Sequence, residues 1–349
     1  VVGGADDRMG EYLDARVAEI AMEPEWHSLD AVFVGGGTPS RVPPQEMERI
    51  LETLASHFGL ASGAEITLEA NPEDWTVPHS DRLAGLGFTR VSFGVQSFDS
   101  AVLGSLGRLH SPRQASEAVG IAAASGFDSV SVDLIYGQPD ESDDSWLETL
   151  NTTVELGPDH VSTYSLTVEP GTELWRQVRS GAPAPDSDTQ ADRWEQAARL
   201  LGDAGYIRYE VSNHARPGHA CRYNLAVWGQ GEYVAFGLGA HSYRDGVRSG
   251  RVRRLDTYIE RVRSGIGPIQ SSDIISGWDA ELERLMLGLR RSAGVRAGEG
   301  GAALLASADG ERLIEAGVLA VEDGRLVAAN PLLTDEIIRA VLDLEEPTG

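Results

Sequence analysis

Four polar residues stand at or just past the carboxyl ends of successive strand patterns, and their types could bind a small charged molecule. They are Thr38, Glu69, Gln96 and Asp133. A carboxylate inside an apolar strand such as VSVDLIYG, or ending LEANP, is costly unless it is paired or hydrogen-bonded. Polar residues commonly end strands, but four in successive units favour a shared binding site, with Asp133 suited to holding ribose hydroxyls.

A glycine cluster and one arginine extend this candidate site. VGGGTPS (34–40) follows a strand, and Gly36, Gly37 and Thr38 could bring backbone groups close to a charged ligand. The cluster is neither a P-loop nor a dinucleotide fingerprint, and a tight turn would explain it equally well. Arg108 could clamp a carboxylate in two-pronged fashion, or it could be a surface arginine. Together, the residues suit a zwitterionic nucleoside such as S-adenosylmethionine.

The elements that must position these residues are strands alternating with helices. A helix pattern at Asp7–Ile20 comes first, and five strand–helix units run to about residue 180. The predicted strands cover residues 31–34, 66–69, 91–95, 130–135 and 161–168. Such alternation predicts an α/β fold with parallel strands, either an open doubly wound sheet or a curved, barrel-like one. Polar residues at the strand ends favour the barrel.

Two further regions follow the predicted barrel of residues 1–180. Residues 181–275 begin with the Pro-rich link GAPAPDSD and include strand-like segments at 206–212 and 233–243. Residues 276–349 predict helices around a hairpin at Asp323–Gly324, which is typical of a winged-helix fold. Because this part is acidic, we interpret it as a packing module and not as a DNA-binding module.

The composition limits the partners of the protein. A formal net charge of −25 repels nucleic-acid phosphates and anionic lipid. The start shows no signal-peptide pattern, and no apolar run approaches the length of a membrane span. We therefore expect a cytoplasmic protein with no nucleic-acid partner and no stable membrane insertion.

The motifs GGGTPS, EANP, GVQSF, GRLH and DLIYGQP, in this order and spacing, resemble radical S-adenosylmethionine proteins of the coproporphyrinogen dehydrogenase group. Within that group the chain most resembles the HemW family of heme chaperones. The resemblance implies a partial (β/α)₆ barrel that binds S-adenosylmethionine and a four-iron four-sulfur cluster. It implies that the cofactor's parts are held as follows: the methionine amino end by Gly36, Gly37 and Thr38, the positively charged part by Glu69, the ribose by Gln96 and Asp133, and the carboxylate by Arg108.

The chain departs from this family at the cluster. The family's C-x3-C-x2-C loop is absent, and Cys221 is the only cysteine, so the chain as given cannot ligate such a cluster. The chain starts with a helix pattern, so we expect the first strand and the cysteine loop to lie upstream of Val1. The alternative is a relative that lacks the cluster.

The second departure lies in GHACRYNLAVW (218–228). HemW-like proteins carry His-Asn-x-x-Tyr-Trp here, a motif linked to heme binding, whereas this chain has Tyr223, Asn224, Val227 and Trp228. Tyr223 could ligate heme iron as a phenolate, and Cys221 could do so as a thiolate. Cys221 could equally be a small buried hydrophobic residue.

Three functions remain open from the sequence. The first is a heme-binding protein that delivers heme to acceptor proteins. The second is an oxygen-independent coproporphyrinogen III dehydrogenase, which would need the cluster. The third is a binding protein without a cluster. Whether the chain is an enzyme stays open, and so do the heme recipient and the oligomeric state.

Overall fold

The computed structural model describes residues 8–347, which form two compact units. Within the described residues, unit 1 comprises 8–31, 45–64 and 221–347, and unit 2 comprises 32–44 and 65–220. The three-part division predicted from the sequence stays a prediction.

The helices and strands alternate through the first half of the chain, as predicted. The helices are α1 (Met9–Met22), α2 (Pro44–Phe58), α3 (Val77–Gly85), α4 (Ser100–Ser105), α5 (Pro112–Ala124), α6 (Asp143–Leu156), α7 (Glu173–Arg179), α8 (Ser187–Asp203), α9 (Arg222–Trp228), α10 (Leu255–Arg263), α11 (Gly277–Gly288), α12 (Gly298–Ala306), α13 (Ala308–Glu315) and α14 (Thr334–Leu342). The strands are β1 (Leu29–Val34), β2 (Leu60–Ala70), β3 (Arg90–Gln96), β4 (Ser129–Tyr136), β5 (His160–Ser165), β6 (Ile207–Arg208), β7 (Asn213–Ala215), β8 (His241–Arg244), β9 (Val247–Arg251), β10 (Ile269–Ile274), β11 (Val295–Arg296), β12 (Leu319–Glu322) and β13 (Arg325–Ala328).

The main sheet has the strand order β1-β2-β3-β4-β5-β7-β6. Neighbours from β2 to β5 pair in parallel, and β7 pairs antiparallel with β5 and with β6. The first five strands follow one another in chain order without the reversal that defines a doubly wound sheet. The order therefore agrees with the barrel-like alternative.

The two faces of this sheet differ in chemistry. One face, here called the apolar face, carries Leu68, Val91, Phe93, Val130, Val132 and Val161, all at most 3% exposed. Helix α6 packs on this face, where Trp146 contacts Tyr136 with ring centroids 5.5 Å apart. The other face, here called the polar face, carries Thr67, Glu69, Arg90, Ser92, Ser129, Ser131, Asp133, His160 and Ser162 in register across four strands.

A polar face is unusual for a parallel sheet. Parallel strands are generally covered on both faces and read as continuous apolar runs, and closed barrels fill their interiors with branched apolar residues. Here the side chains alternate with period two, and most of the polar ones are buried. Part of the polar face is covered by the chain itself, since Arg90 donates to the His219 carbonyl at 2.6 Å and His160 Nε2 lies 2.8 Å from the Tyr209 hydroxyl. The carboxylates Glu69 and Asp133 on this face are the groups that suit a ligand.

Local signals explain the helix ends that flank this sheet. Ser111 and Gln114 form a capping box at the start of α5, and Asp99 accepts two backbone N–H bonds at the start of α4. Gly157 ends α6 in a left-handed conformation with φ 64°. These caps fix the ends of the loops that follow β3 and β4.

Unit 1 contains two smaller three-stranded sheets. Their strand orders are β10-β9-β8 and β11-β13-β12. The second sheet packs with α11 to α14 around a core that includes Leu285, Leu304, Leu313, Leu326 and Ile337, each fully buried. The helices and the hairpin around Asp323–Gly324 occur as predicted, whereas β11 and α12 were not predicted. The winged-helix-like character of this region stays a prediction.

A buried ion pair stands beside the first small sheet. Glu19 of α1 is bonded by Arg251 of β9 and by the Tyr258 hydroxyl of α10, and it accepts the Gly237 N–H at 2.8 Å. Because each partner is nearly fully buried, the charge is compensated by contact and not by solvent.

Several sequence predictions of local structure are wrong or incomplete. Only Ile207–Arg208 is a strand within 206–212, and strand structure within 233–243 is limited to the start of β8 and an isolated bridge at Tyr233. Helices α4, α7, α9, α10 and α12 were not anticipated. The predicted first helix begins at Asp7, which lies outside the described residues. No helix among residues 8–347 is long and apolar enough to cross a bilayer.

Adjacent residues of α13 give a test of the C-terminal core. Leu313 is fully buried, whereas Ile314 is 42% exposed. We expect Leu313→Ala to lower the free energy of unfolding by about 2–5 kcal/mol, because it leaves a cavity. Ile314→Ala should change it by about 0.5 kcal/mol or less. Urea unfolding of the full chain measures both, and equal effects would contradict this core.

Candidate functional site

The glycine loop after β1 is fixed by a carboxylate from β2. The Gly36 N–H donates to Glu69 Oε2 at 2.7 Å. A Cβ on Gly35 would lie 2.9 Å from the same carboxylate and 2.8 Å from the Phe33 ring, and Gly36 has φ 79°. Glycine is therefore required at 35 for space and favoured at 36 for its backbone conformation. Gly37 (φ 70°) also has the left-handed conformation, and it leads into Thr38.

Glu69 occupies the penultimate position of β2. Burial raises the pKa of its carboxyl above the usual value, and the hydrogen bond from the Gly36 N–H opposes that rise. Ser40 ties the same loop to the turn after β2, because its Oγ accepts the Asn71 N–H and donates to Asp74, both at 3.1 Å. The glycine loop and the end of β2 thus form one hydrogen-bonded edge.

Gln96 ends β3 in a strained conformation. Its φ is 69°, which is uncommon for a residue other than glycine. Its side chain is 7% exposed, and a Cβ on Gly94 would lie 2.8 Å from its Nε2. The missing side chain at Gly94 leaves room for Gln96 to fold over the strand end. Strain of this kind is often found at ligand sites.

Asp133 lies inside β4, so its predicted position at the strand end is wrong. The Ser92 hydroxyl lies 3.0 Å from both carboxylate oxygens. Burial raises the pKa of Asp133 to about 6, with a smaller contribution from the negative charge of Glu69, while hydrogen bonds from Ser162 and Ser92 oppose the rise. The serine hydroxyls supply the hydrogen bonds that the sequence required of a carboxylate inside an apolar strand.

Arg108 lies between α4 and α5. Burial lowers the pKa of its guanidinium, and the charges of Glu73 and Asp133 oppose that change. Arg108 forms no direct ion pair within residues 8–347. Arg108 is therefore a partly buried cation that no ion pair in the described part of the chain neutralises. Such a guanidinium suits a carboxylate ligand.

Contacts in unit 2 connect four of the predicted residues, namely Gly36, Glu69, Asp133 and Arg108. Electrostatic interactions connect Asp133 with Glu69 and with Arg108, and Gly36 is bonded to Glu69. The arrangement offers two carboxylates for hydroxyl or ammonium groups and one guanidinium for a carboxylate. These groups alone do not indicate a chemical reaction.

Three residues of this site were missed from the sequence. Ser92 and Ser162 hydrogen-bond to Asp133, and the charge of Asp133 raises the pKa of the neighbouring Tyr164 further, beyond the main effect of burial. The signal that identifies the two serines is the strict alternation of polar and apolar residues in RVSF, SVSVD and HVS, whereas Tyr164 lies beyond that alternation. The alternation places the two serines on the same face as Asp133.

The segment proposed for heme lies in unit 1 and forms the short helix α9. Cys221, just before the helix, is 3% exposed. Tyr223 is partly exposed and packs edge-on against Tyr233, with ring centroids 6.3 Å apart. Arg290 stands 5.7 Å from the ring centroid of Trp228. Asn224 lies one turn before Trp228 and Tyr223 one turn before Val227, so each pair shares a side of the helix. The heme-binding roles of Cys221, Tyr223, Asn224 and Trp228 stay predictions.

The residues of this chain do not fit an iron–sulfur cluster. The one cysteine is buried, and no group of three or more His, Cys, Asp and Glu side chains that could hold a metal ion occurs in the described part of the chain. Three thiolates are needed where only one exists. The glycine loop, the two carboxylates and Arg108 do fit S-adenosylmethionine.

Comparisons with known proteins agree with this picture. The Radical SAM superfamily profile matches residues 5–153. The heme chaperone HemW of Mycobacterium tuberculosis is 38% identical over 97% of this chain and 87% of the relative. HemW of Synechocystis is 37% identical over 83% of this chain and 71% of the relative. HemW of Escherichia coli is 41% identical over 61% of this chain and 56% of the relative.

A solved structure shows the same fold. The radical SAM enzyme coproporphyrinogen III oxidase (HemN) of Escherichia coli superposes with a TM-score of 0.83 at 21% identity, covering 98% of this chain and 85% of that chain. The α/β fold with a curled parallel sheet, predicted as a partial barrel, is thereby confirmed.

The raised pKa of Asp133 predicts a pH effect on stability. Burial raises the pKa of the native Asp133 carboxyl to about 6, whereas the unfolded chain leaves it near the ordinary aspartate pKa of 3.8. Between these values the native state binds more protons, so this group's contribution to stability falls as pH rises. We expect Asp133→Asn to gain roughly 1–3 kcal/mol relative to wild type between pH 4.5 and 7.5.

Urea unfolding at the two pH values measures this gain. Asp128→Asn is the matched control, because Asp128 is exposed just before the same strand. Its pH dependence should follow that of the wild type. If the stability of Asp133→Asn changed with pH as much as that of the wild type, the raised pKa of Asp133 would be contradicted.

Proposed function

Because this chain belongs to the HemW family of radical S-adenosylmethionine proteins, we propose that it binds heme and delivers it to acceptor proteins. We propose as well that the edge of its polar sheet face holds S-adenosylmethionine. The observation that carries the second proposal is Arg108, a partly buried guanidinium without a direct ion pair near two carboxylates.

Each part of the cofactor has a matching group in the chain. Glu69, with the glycine loop at Gly36, Gly37 and Thr38, suits the ammonium and the adjoining positive charge. Gln96 and Asp133 suit the ribose hydroxyls, because Asp133 keeps acceptor capacity beyond its bonds to serines. Arg108 suits the carboxylate. The ammonium and the carboxylate of the cofactor would each meet a protein group of opposite charge. The neutral ribose would be held by hydrogen bonds.

The proposal is restricted to binding and delivery. S-adenosylmethionine supplies radical chemistry in enzymes that activate it, and the residues of this chain do not hold the cluster that such activation requires. Coproporphyrinogen oxidation, the second function left open by the sequence, is supported only at the level of fold. No residue contact favours it over heme binding.

Heme binding is proposed at α9. Tyr223 is the candidate axial ligand, because its side chain is partly exposed, whereas the Cys221 side chain is almost fully buried. A phenolate is an established ligand of heme iron. Asn224 and Trp228 lie on the same helix and complete the proposed site.

Binding of S-adenosylmethionine by the purified chain tests the sheet site. Arg108→Gln should raise the dissociation constant by roughly 10- to 100-fold, because a charge-assisted contact is lost. Arg113→Gln is the control, since Arg113 is exposed on α5 and pairs with Glu117. Equilibrium dialysis with labelled cofactor measures both. Equal affinities would reject the role of Arg108.

Titration with hemin tests the helix site. We expect a Soret shift in the wild type that is lost or strongly altered in Tyr223→Phe, because the phenol oxygen is removed while the ring stays. Cys221→Ala should keep the wild-type spectrum. A spectrum that depends on Cys221 and not on Tyr223 would reverse the assignment. If no Soret shift occurs in a folded protein, heme binding is rejected.

A further inference from the structure

His110 is a buried histidine that the proposed function does not use. It is 5% exposed and lies two residues after Arg108, directly before the cap of α5. Its Nε2 stands 2.9 Å from the carbonyl oxygen of Val95, the residue before Gln96. His110 therefore joins the segment of Arg108 to the strained end of β3.

The second ring nitrogen faces a carboxylate. His110 Nδ1 lies 3.3 Å from Glu73 Oε2, in the turn that follows β2. This oxygen is buried and accepts no aligned hydrogen bond, so a donor or a positive charge beside it would lower the cost of its burial. A carbonyl oxygen only accepts, and a neutral imidazole has one N–H. With that proton directed at Val95, only the imidazolium also presents an N–H toward Glu73.

Glu73 stands between two cations. Its charge acts on Arg108 as well as on His110. When His110 is an imidazolium, it neutralises Glu73 and leaves Arg108 for another anion. When His110 is neutral, Arg108 is the remaining cation for Glu73. The other charged groups nearby are occupied or more distant: Asp133 acts on Arg108 from β4, Asp74 is bonded to Ser40, and Arg113 pairs with Glu117 on the surface.

We propose that His110 and Glu73 form a proton-dependent positioning pair that controls whether Arg108 is available to a ligand carboxylate. This inference rests on the proposed S-adenosylmethionine site for its ligand. Protonation of His110 favours binding, and deprotonation turns Glu73 into a competitor for Arg108. Neither residue contacts the ligand itself.

Two variants separate the roles. Glu73→Gln removes the competitor, so affinity for S-adenosylmethionine should be high at both pH 6 and pH 8.5. His110→Gln keeps a donor for Val95 but carries no charge, so affinity should be low at both. These pH values span the range, about pH 5 to 8, in which imidazoles titrate. His79→Gln is the matched control, because His79 is a partly buried histidine beside Asp74 in the same unit.

The wild type and the control should lose affinity as pH rises. For each protein we take the dissociation constant at pH 8.5 divided by that at pH 6. We expect this ratio to be about fivefold or more larger in the wild type and the control than in Glu73→Gln. The amino group of the ligand titrates in all four proteins, so it cancels in this comparison. Equal ratios in the wild type and Glu73→Gln would overturn the proposal.

Measurements without ligand keep this test independent of the proposed function. Nitrogen NMR should show the His110 ring as an imidazolium at pH 6, and the Arg108 Nε–H should exchange with water more slowly at pH 8.5 in the wild type than in Glu73→Gln. A neutral ring at pH 6, or equal exchange, overturns the inference. If both signals behave as expected while no protein binds S-adenosylmethionine, the pair is supported and the proposed ligand is rejected.

Discussion

The alternation of side chains along parallel strands is the constraint on which this structure depends. Successive residues of β2, β3, β4 and β5 point to opposite faces, so one register places the valines and leucines on the apolar face and the acids, with most of the serines, on the polar face. Ser165 is an exception, because it pairs with Tyr136 on the apolar side. An apolar helix that covered the second face would leave the hydrogen-bonding groups of that face without partners. Polar groups of the same chain meet part of this face, at the His219 carbonyl and the Tyr209 hydroxyl, and the proposed ligand would meet its carboxylates.

The energetic cost of this surface is concentrated at its carboxylates. Burial raises the pKa of both Glu69 and Asp133, and the charge of Glu69 raises that of Asp133 further. One backbone N–H and two serine hydroxyls offset part of the cost. A fold selected for stability alone would replace these groups with apolar ones. Their presence, with the positive φ of Gln96 beside them, is what a binding site predicts.

The sequence predicted the central strands well because their signals are local. Apolar runs followed closely by glycine or proline define β1, β2 and β4, and caps such as Ser111 define helix starts. Asp133 was placed at or just past a strand end although the predicted strand 130–135 already continued beyond it, and β4 ends only at Tyr136. Short helices such as α7 and α9 lack long periodic patterns, since packing and not propensity stabilises them. The strain at Gln96 and the proximity of Glu73 to Arg108 depend on the meeting of segments distant in sequence, so no local pattern could reveal them.

The proposed heme segment shows how one exchanged residue alters the expected chemistry. Tyr223 stands where the resemblance implies histidine, and it is partly exposed on α9 while Cys221 is buried. A phenolate is an anionic, hard ligand, whereas imidazole is neutral, so a tyrosine ligand favours the more highly charged ferric iron. The chain already carries a net charge of −25, which makes a further anion costly unless a cation neutralises it. Ferric iron would supply that charge directly, so a Tyr223 ligand would suit ferric heme.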